Sequence, residues 1–121
     1  AMRDLHGPVL DQPLYLWLRA CAPMSDDPRE HRALLAYASD YPLMLTSMLR
    51  HRAAYFRANA IATSLDHAMW FHAPFRADDW LLFVTDTPWA GNRRSLARGS
   101  FYTRDGRLVA SVAQEGLLWP V

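Results

Sequence analysis

The sequence contains no lysine: all 13 of its basic side chains are arginine. Set against 12 acidic side chains they leave a formal charge of +1. That balance argues against a nucleic-acid partner, which normally meets a concentrated basic face. There is one cysteine, Cys21, so an internal disulfide is excluded and a reducing compartment fits. No His or Asn stands near Cys21 in a recognisable nucleophile motif. No apolar run approaches the ~18 residues of a membrane span, and no charged-then-apolar leader opens the chain. The expectation from these absences is a soluble, cytoplasmic protein with neither membrane nor nucleic acid as partner. Repeats and low-complexity tracts are also missing. Because 51% of the residues are hydrophobic and 12% aromatic, the chain has the material for a core and a disordered reading fails. Residues 1–121 fit one domain.

What is present reads as a strand, a helix and then more strands. Leu14 to Arg19 is a plausible strand, following Gly7, Pro8 and Pro13. Asp27 is placed as a helix N-cap, with Pro28 at the first helical position and Glu30 three residues after the cap. Leu34, Leu35 and Ala38 then line one helix face. Pro42 lacks the N–H that would bond the carbonyl of Ala38, which predicts a kink or break there. Met44, Leu45, Met48 and Leu49 extend the pattern to about Arg50. From Ala60 the period shortens to two. Ile61, Leu65, Met69 and Phe71 are expected on one side of an extended segment, with Ser64, Asp66, Ala68 and Trp70 on the other. Trp80 to Thr85 reads as a strand and Pro88 to Asn92 as a loop. Leu96 to Thr103 and Leu108 to Trp119 read as strands joined by the hairpin signal Arg104-Asp105-Gly106-Arg107. About four consecutive strands expose an apolar face that only the one long helix can cover. The expected class is α+β, a hotdog fold with an antiparallel β-sheet wrapped around one long central helix.

Three polar residues sit where chemistry could be built. Gln114 falls in register with Leu108, Ala110 and Val112, so its amide turns toward their apolar face. A buried amide needs partners, because an unpaired one costs roughly 1–3 kcal/mol; a loop backbone would satisfy it as well as a site. Asp40 interrupts a helix two residues before a proline, at a position of poor helix propensity. It could position a water or stand solvated. Ser64, beside Thr63, lies in the strand expected to cross the helix; it has no Gly-x-Ser-x-Gly elbow, which argues against a serine nucleophile. Asp66 and His67 alternate to opposite faces, and His72 is placed on the face of Asp66. The five His and ten Asp show no metal-ligand spacing, so neither metal nor other cofactor is expected. Arg93, Arg94 and Arg98 form a basic patch that could meet phosphates or face solvent.

Read as a text, the run Ala62-Thr63-Ser64-Leu65-Asp66-His67-Ala68-Met69-Trp70-Phe71-His72, followed by Pro74-Phe75-Arg76 and Trp80-Leu81-Leu82, resembles the acyl-CoA thioesterase II (TesB-like) family. So do Leu35-Ala36-Tyr37-Ala38-Ser39-Asp40, Ala97-Arg98-Gly99, the Arg104-Asp105-Gly106 turn, and Leu108 through Gln114-Glu115-Gly116. The resemblance covers residues 12 to 119. It implies one half, the C-terminal one, of a tandem pair of hotdogs that hydrolyses fatty acyl-CoA to free acid and coenzyme A. It also implies that Asp40, Ser64 and Gln114 together orient the attacking water, with Thr63 as a lesser alternative to Ser64. The expected partners are the acyl-CoA substrate and either a second copy in a homodimer or a missing N-terminal hotdog half. Two rivals are a hotdog enoyl-thioester hydratase or dehydratase and a non-catalytic acyl-CoA-binding half-domain. The first needs a His close to a carboxylate, and neither His67 nor His72 is clearly paired with Asp40.

Overall fold

The computed structural model describes residues 12–50 and 60–120. Its elements are β1 (Leu14–Leu18), α1 (Pro28–Arg50), β2 (Ala60–Ser64), β3 (Ala68–Phe71), β4 (Leu81–Gly91), β5 (Arg94–Thr103) and β6 (Leu108–Pro120). The strands form one antiparallel sheet in the order β1-β4-β5-β6, with β2 and β3 in succession along the far side of β6. Helix α1 packs on β4, β5, β6 and β2. This is the expected α+β arrangement of an antiparallel sheet around one long helix.

The helix begins where its cap residues place it. The Asp27 carboxylate accepts the Arg29 N–H at 2.9 Å, one of the donors that the first helical turn leaves unpaired. Glu30 returns the contact through an intermediary: the Ser25 hydroxyl donates to Glu30 at 2.6 Å and accepts the Asp27 N–H at 3.2 Å. The expected kink or break at Pro42 does not interrupt the helix, which is continuous to Arg50. An interior proline costs about 3 kcal/mol. Here the helix is held from outside by a buried stripe of His31, Leu35, Ser39, Leu43, Thr46 and Ser47. Burying one large apolar side chain contributes roughly 1.5–3 kcal/mol, so packing along the stripe outweighs one missing bond.

Beneath the helix, Phe83 and Phe101 stack with centroids 3.9 Å apart, both fully buried. They are cross-strand partners on β4 and β5. Gly99 is the residue that gives the Phe83 ring its place; a Cβ there would run into that ring and sit 3.0 Å from Val112 Cγ1. In β4 the buried residues Leu81, Phe83, Thr85 and Thr87 alternate with half-exposed ones, as one covered sheet face requires.

Irregularities correct several expectations. The segment from Pro88 is strand, not loop: β4 and β5 stay paired to Gly91↔Arg94, with a register shift between Asp86 and Trp89. That shift accommodates Pro88, which has no N–H for a ladder. The turn then shrinks to Asn92 and Arg93, both with positive φ (48° and 64°), as a two-residue hairpin of matching twist demands. In β6 the pairing moves from Phe101↔Ala110 to Tyr102↔Leu108. The extra residue buries Val109 completely and leaves Leu108 40% exposed, so Leu108 does not share the face of Ala110, Val112 and Gln114.

The largest correction falls at residues 65–67. The extended segment expected from Ile61 to Phe71 is two strands, β2 and β3, separated by three residues. Ser64 pairs with Gly116 and Met69 with Val112. Five steps on one side answer four on the other, so one residue is extra. Ser64 and Met69, assigned by simple alternation to opposite faces, therefore both turn toward the helix.

Candidate active site

The helix, the end of β2 and the middle of β6 converge on three side chains. Asp40 stands on the solvent-exposed flank of α1. Ser64 is the last residue of β2, beside Gly116, where a Cβ would come within 2.9 Å of Ser95 Oγ and 3.2 Å of Met44 Sδ. The missing side chain lets the helix pass close at this level. Gln114, two residues before Gly116 on the same face of β6, is 1% exposed.

The three are joined by two hydrogen bonds. The Ser64 hydroxyl donates to Asp40 Oδ1 at 3.0 Å, and Gln114 Nε2 donates to Ser64 Oγ at 2.9 Å. The polarity follows from Asp40. An ionised carboxylate only accepts, so Ser64 must donate to it and receive from the amide nitrogen. Gln114 Oε1 is thereby left buried, with no hydrogen-bond partner among the described residues. An orphaned acceptor in a low-dielectric site holds desolvation cost in reserve for a donor. An acceptor at one end and a carboxylate at the other can orient an O–H donor and take its proton.

Other candidates lie elsewhere. His72 Nε2 is 2.8 Å from Ser111 Oγ; Ser111 alternates with Val112 and Gln114, which puts His72 on the opposite sheet face. His67 Nε2 lies 2.8 Å from Ser39 Oγ, next to Asp40 in sequence but not bonded to it. Asp66 accepts the Glu115 N–H at 2.8 Å. That bond holds the Asp66 carboxyl below the usual range, while the hydrogen bond with Asp66 pushes the Glu115 carboxyl up. Arg98 is engaged with Asp86 through bonds of 3.0 and 2.7 Å. Cys21 is exposed and free. Among the described residues no cluster of His, Cys, Asp and Glu could hold a metal ion, and no helix is long and apolar enough to cross a membrane.

Sequence reasoning missed Ser39, Glu115 and the use made of residues 65–67. A signal was present. Ser64 and Met69 are five residues apart, so an unbroken strand cannot turn both inward.

An antiparallel sheet wrapped on a single long helix is the hotdog architecture. Solved structures agree on the fold: a 1,4-dihydroxy-2-naphthoyl-CoA thioesterase from Synechocystis superposes with a TM-score of 0.61 at 11% identity, covering 88% of this chain and 81% of that one. A family model described as acyl-CoA thioesterase matches residues 1–117, and the chain belongs to that family, in its TesB-like branch. It is 44% identical over 111 residues to acyl-coenzyme A thioesterase 8 of Mus musculus, covering 91% of this chain and 34% of the relative. It is 32% identical over 113 residues to acyl-CoA thioesterase 2 of Haemophilus influenzae, covering 93% and 40%. The acyl-CoA thioesterase II TesB2 of Mycobacterium marinum superposes with a TM-score of 0.83 at 42% identity, over 98% of this chain and 46% of that one. The chain thus spans between about a third and a half of the length of these relatives.

Proposed function

We propose that this chain is the C-terminal hotdog unit of an acyl-CoA thioesterase that hydrolyses fatty acyl-CoA to free acid and coenzyme A. The observation that carries the reading is the bonded series Asp40–Ser64–Gln114 ending in the unpartnered, buried Oε1. A water donating one O–H to Gln114 Oε1 and the other to Asp40 has its lone pair directed at an incoming thioester carbonyl. Asp40 takes the proton as the O–C bond forms. Collapse of the tetrahedral intermediate breaks the C–S bond, and the departing thiolate recovers a proton to leave as the thiol. Ser64 keeps the carboxylate and the amide in fixed relation. No acyl-enzyme is required.

The site is open on one side. Tyr37 and Tyr41, which flank Asp40 on the helix, are 83% and 73% exposed. Two large aromatic side chains beside a reactive carboxylate support closure of the acyl pocket by another hotdog unit. That unit is a second copy, or an N-terminal half of the kind for which the length of the relatives leaves room. The placement of His67 on Ser39 and of His72 on the far face favours hydrolysis over hydratase chemistry, which needs a His close to a carboxylate. The compartment proposed is the cytoplasm; one Saccharomyces cerevisiae relative is named a peroxisomal acyl-coenzyme A thioester hydrolase.

The test is thiol release from an acyl-CoA series, followed with a thiol reagent, in wild type and Asp40→Asn. Release that falls by roughly 10²–10⁴-fold in the variant supports the reading, since that is what a general base contributes. Equal release from both proteins sinks it. Binding of acyl-CoA with no release from either assigns the chain to the non-catalytic alternative.

A further inference from the structure

The site residues hold their relation across an irregular, exposed segment. Residues 65–67 all lie at the surface, and Leu65 is 46% exposed, so no buried apolar side chain fixes them. Polar tethers do so instead. On one side the Leu65 N–H donates to the Glu115 carbonyl at 2.9 Å, and the Glu115 N–H donates to the Asp66 carboxylate at 2.8 Å. Both backbone groups of Glu115, the neighbour of Gln114, are thus bound to the bulge. On the other side His67 Nε2 meets Ser39 Oγ at 2.8 Å. The Ser39 proton is already committed to the Ala36 carbonyl at 2.8 Å, so the imidazole is the donor. Ser39 is completely buried and is the neighbour of Asp40.

We propose that Asp66 and His67 are positioning residues for the hydrolytic reaction, a two-residue staple that fixes the bulge to β6 beside Gln114 and to α1 beside Asp40, and so holds Ser64 between them. The proposal rests on the functional reading above. Neither residue touches the site's reacting atoms. Each acts one residue away from a member of the bonded series, and the bulge they hold is what turns Ser64 toward the helix. The ionised state of Asp66, favoured by the Glu115 N–H, suits it as acceptor. A misplacement of about 1 Å can cost roughly 10²-fold in rate, so loss of either tether reads out in turnover rather than in substrate binding.

The experiment is steady-state thiol release by the intact protein carrying Asp66→Ala, Asp66→Asn, His67→Ala or His67→Gln, each also placed on Ser64→Ala. The alanine variants are expected to lower kcat by roughly 10- to 100-fold with KM within about twofold. Asp66→Asn keeps an acceptor and His67→Gln a donor, and both are expected to recover most of the loss. On Ser64→Ala the alanine changes are expected to add nothing, because their effect passes through that hydroxyl. Alanine variants with wild-type kcat overturn the proposal, and so do losses that persist in full without the Ser64 hydroxyl. If an alanine variant fails to fold, Asp66→Ser and His67→Asn shorten the tethers by degrees; kcat indifferent to tether length overturns the proposal. A crystal structure of Asp66→Ala gives a readout independent of turnover: Ser64 still bonded to both Asp40 and Gln114 overturns it. If Asp40→Asn and Ser64→Ala keep full activity, the hydrolytic reading fails and takes the staple with it. If they are inactive while Asp66→Ala is not, the staple alone falls.

Discussion

Gln114 Nε2 donates to Ser64 Oγ at 2.9 Å, across fifty positions of sequence. The Ser64 hydroxyl in turn donates to Asp40, and Gln114 is only 1% exposed. One hydroxyl therefore couples a buried amide to an exposed carboxylate.

If that coupling orients the reaction, the hydroxyl matters more than the residue that carries it. Ser64→Ala is expected to lower kcat by roughly 10²-fold, the loss typical of displaced reacting groups. Ser64→Thr restores the hydroxyl and is expected to recover most of the rate. Thiol release under saturating acyl-CoA measures both, and equal rates for Ala and Thr contradict the coupling.

The orphaned Gln114 Oε1 predicts a conflict between stability and activity. Gln114→Leu keeps the size of the side chain and deletes a buried acceptor whose desolvation costs about 1–3 kcal/mol, at the expense of one bond to Ser64. The variant is expected to unfold at the same or higher denaturant concentration than wild type while losing turnover. A fall in both quantities together places the amide in the scaffold.

His31 is the corresponding structural device at the other end of the helix. It is 2% exposed, accepts the Ala77 N–H on Nδ1 at 2.9 Å and donates from Nε2 to the Ser25 carbonyl at 2.7 Å. The neutral tautomer is fixed by these two partners. His31→Ala leaves both backbone groups without them, so a loss of about 2–5 kcal/mol is expected. Urea unfolding gives the size, and faster hydrogen exchange at the Ala77 amide gives the place.

Acid sensitivity should centre on Asp78. Its carboxyl lies far below the ordinary value of 3.8, first because Arg76 hydrogen-bonds it and then because the Met24 N–H does. A depressed carboxyl contributes stability that is complete above the unfolded value and is lost as pH falls through the folded one. Melting temperatures measured downward from about pH 5 are therefore expected to drop below pH 4. Asp78→Asn should start lower and drop less. A parallel decline in the two proteins argues that other carboxylates carry the acid transition.

Much of the fold was legible because it depends on local rules. Asp27, Pro28 and Glu30 mark a helix start by unpaired donors and fixed φ, and Arg104 to Arg107 marks a turn by Gly106, which has φ 88°. What misled the sequence reading was each place where an extra residue entered a strand. Pro88 looked like a loop because a proline removes a ladder donor, yet the register shift around it preserves the pairing. Leu108 and the 65–67 segment were misassigned because strict alternation assumes no bulge. No break occurs at Pro42 because helix–sheet packing, a tertiary quantity, outweighed a local defect.

By itself the sequence determined that one helix must cover an antiparallel sheet, since it supplies a single long amphipathic segment and several period-two segments with an apolar face. It also supplied Asp40, Ser64 and Gln114 as polar residues at odds with their surroundings. Only the tertiary structure decided that they touch, in which order they donate, and which oxygen is left over. Hydrogen-bond partners far apart in the chain depend on register and on the parity of each bulge. One inserted residue reverses that parity without changing any local preference.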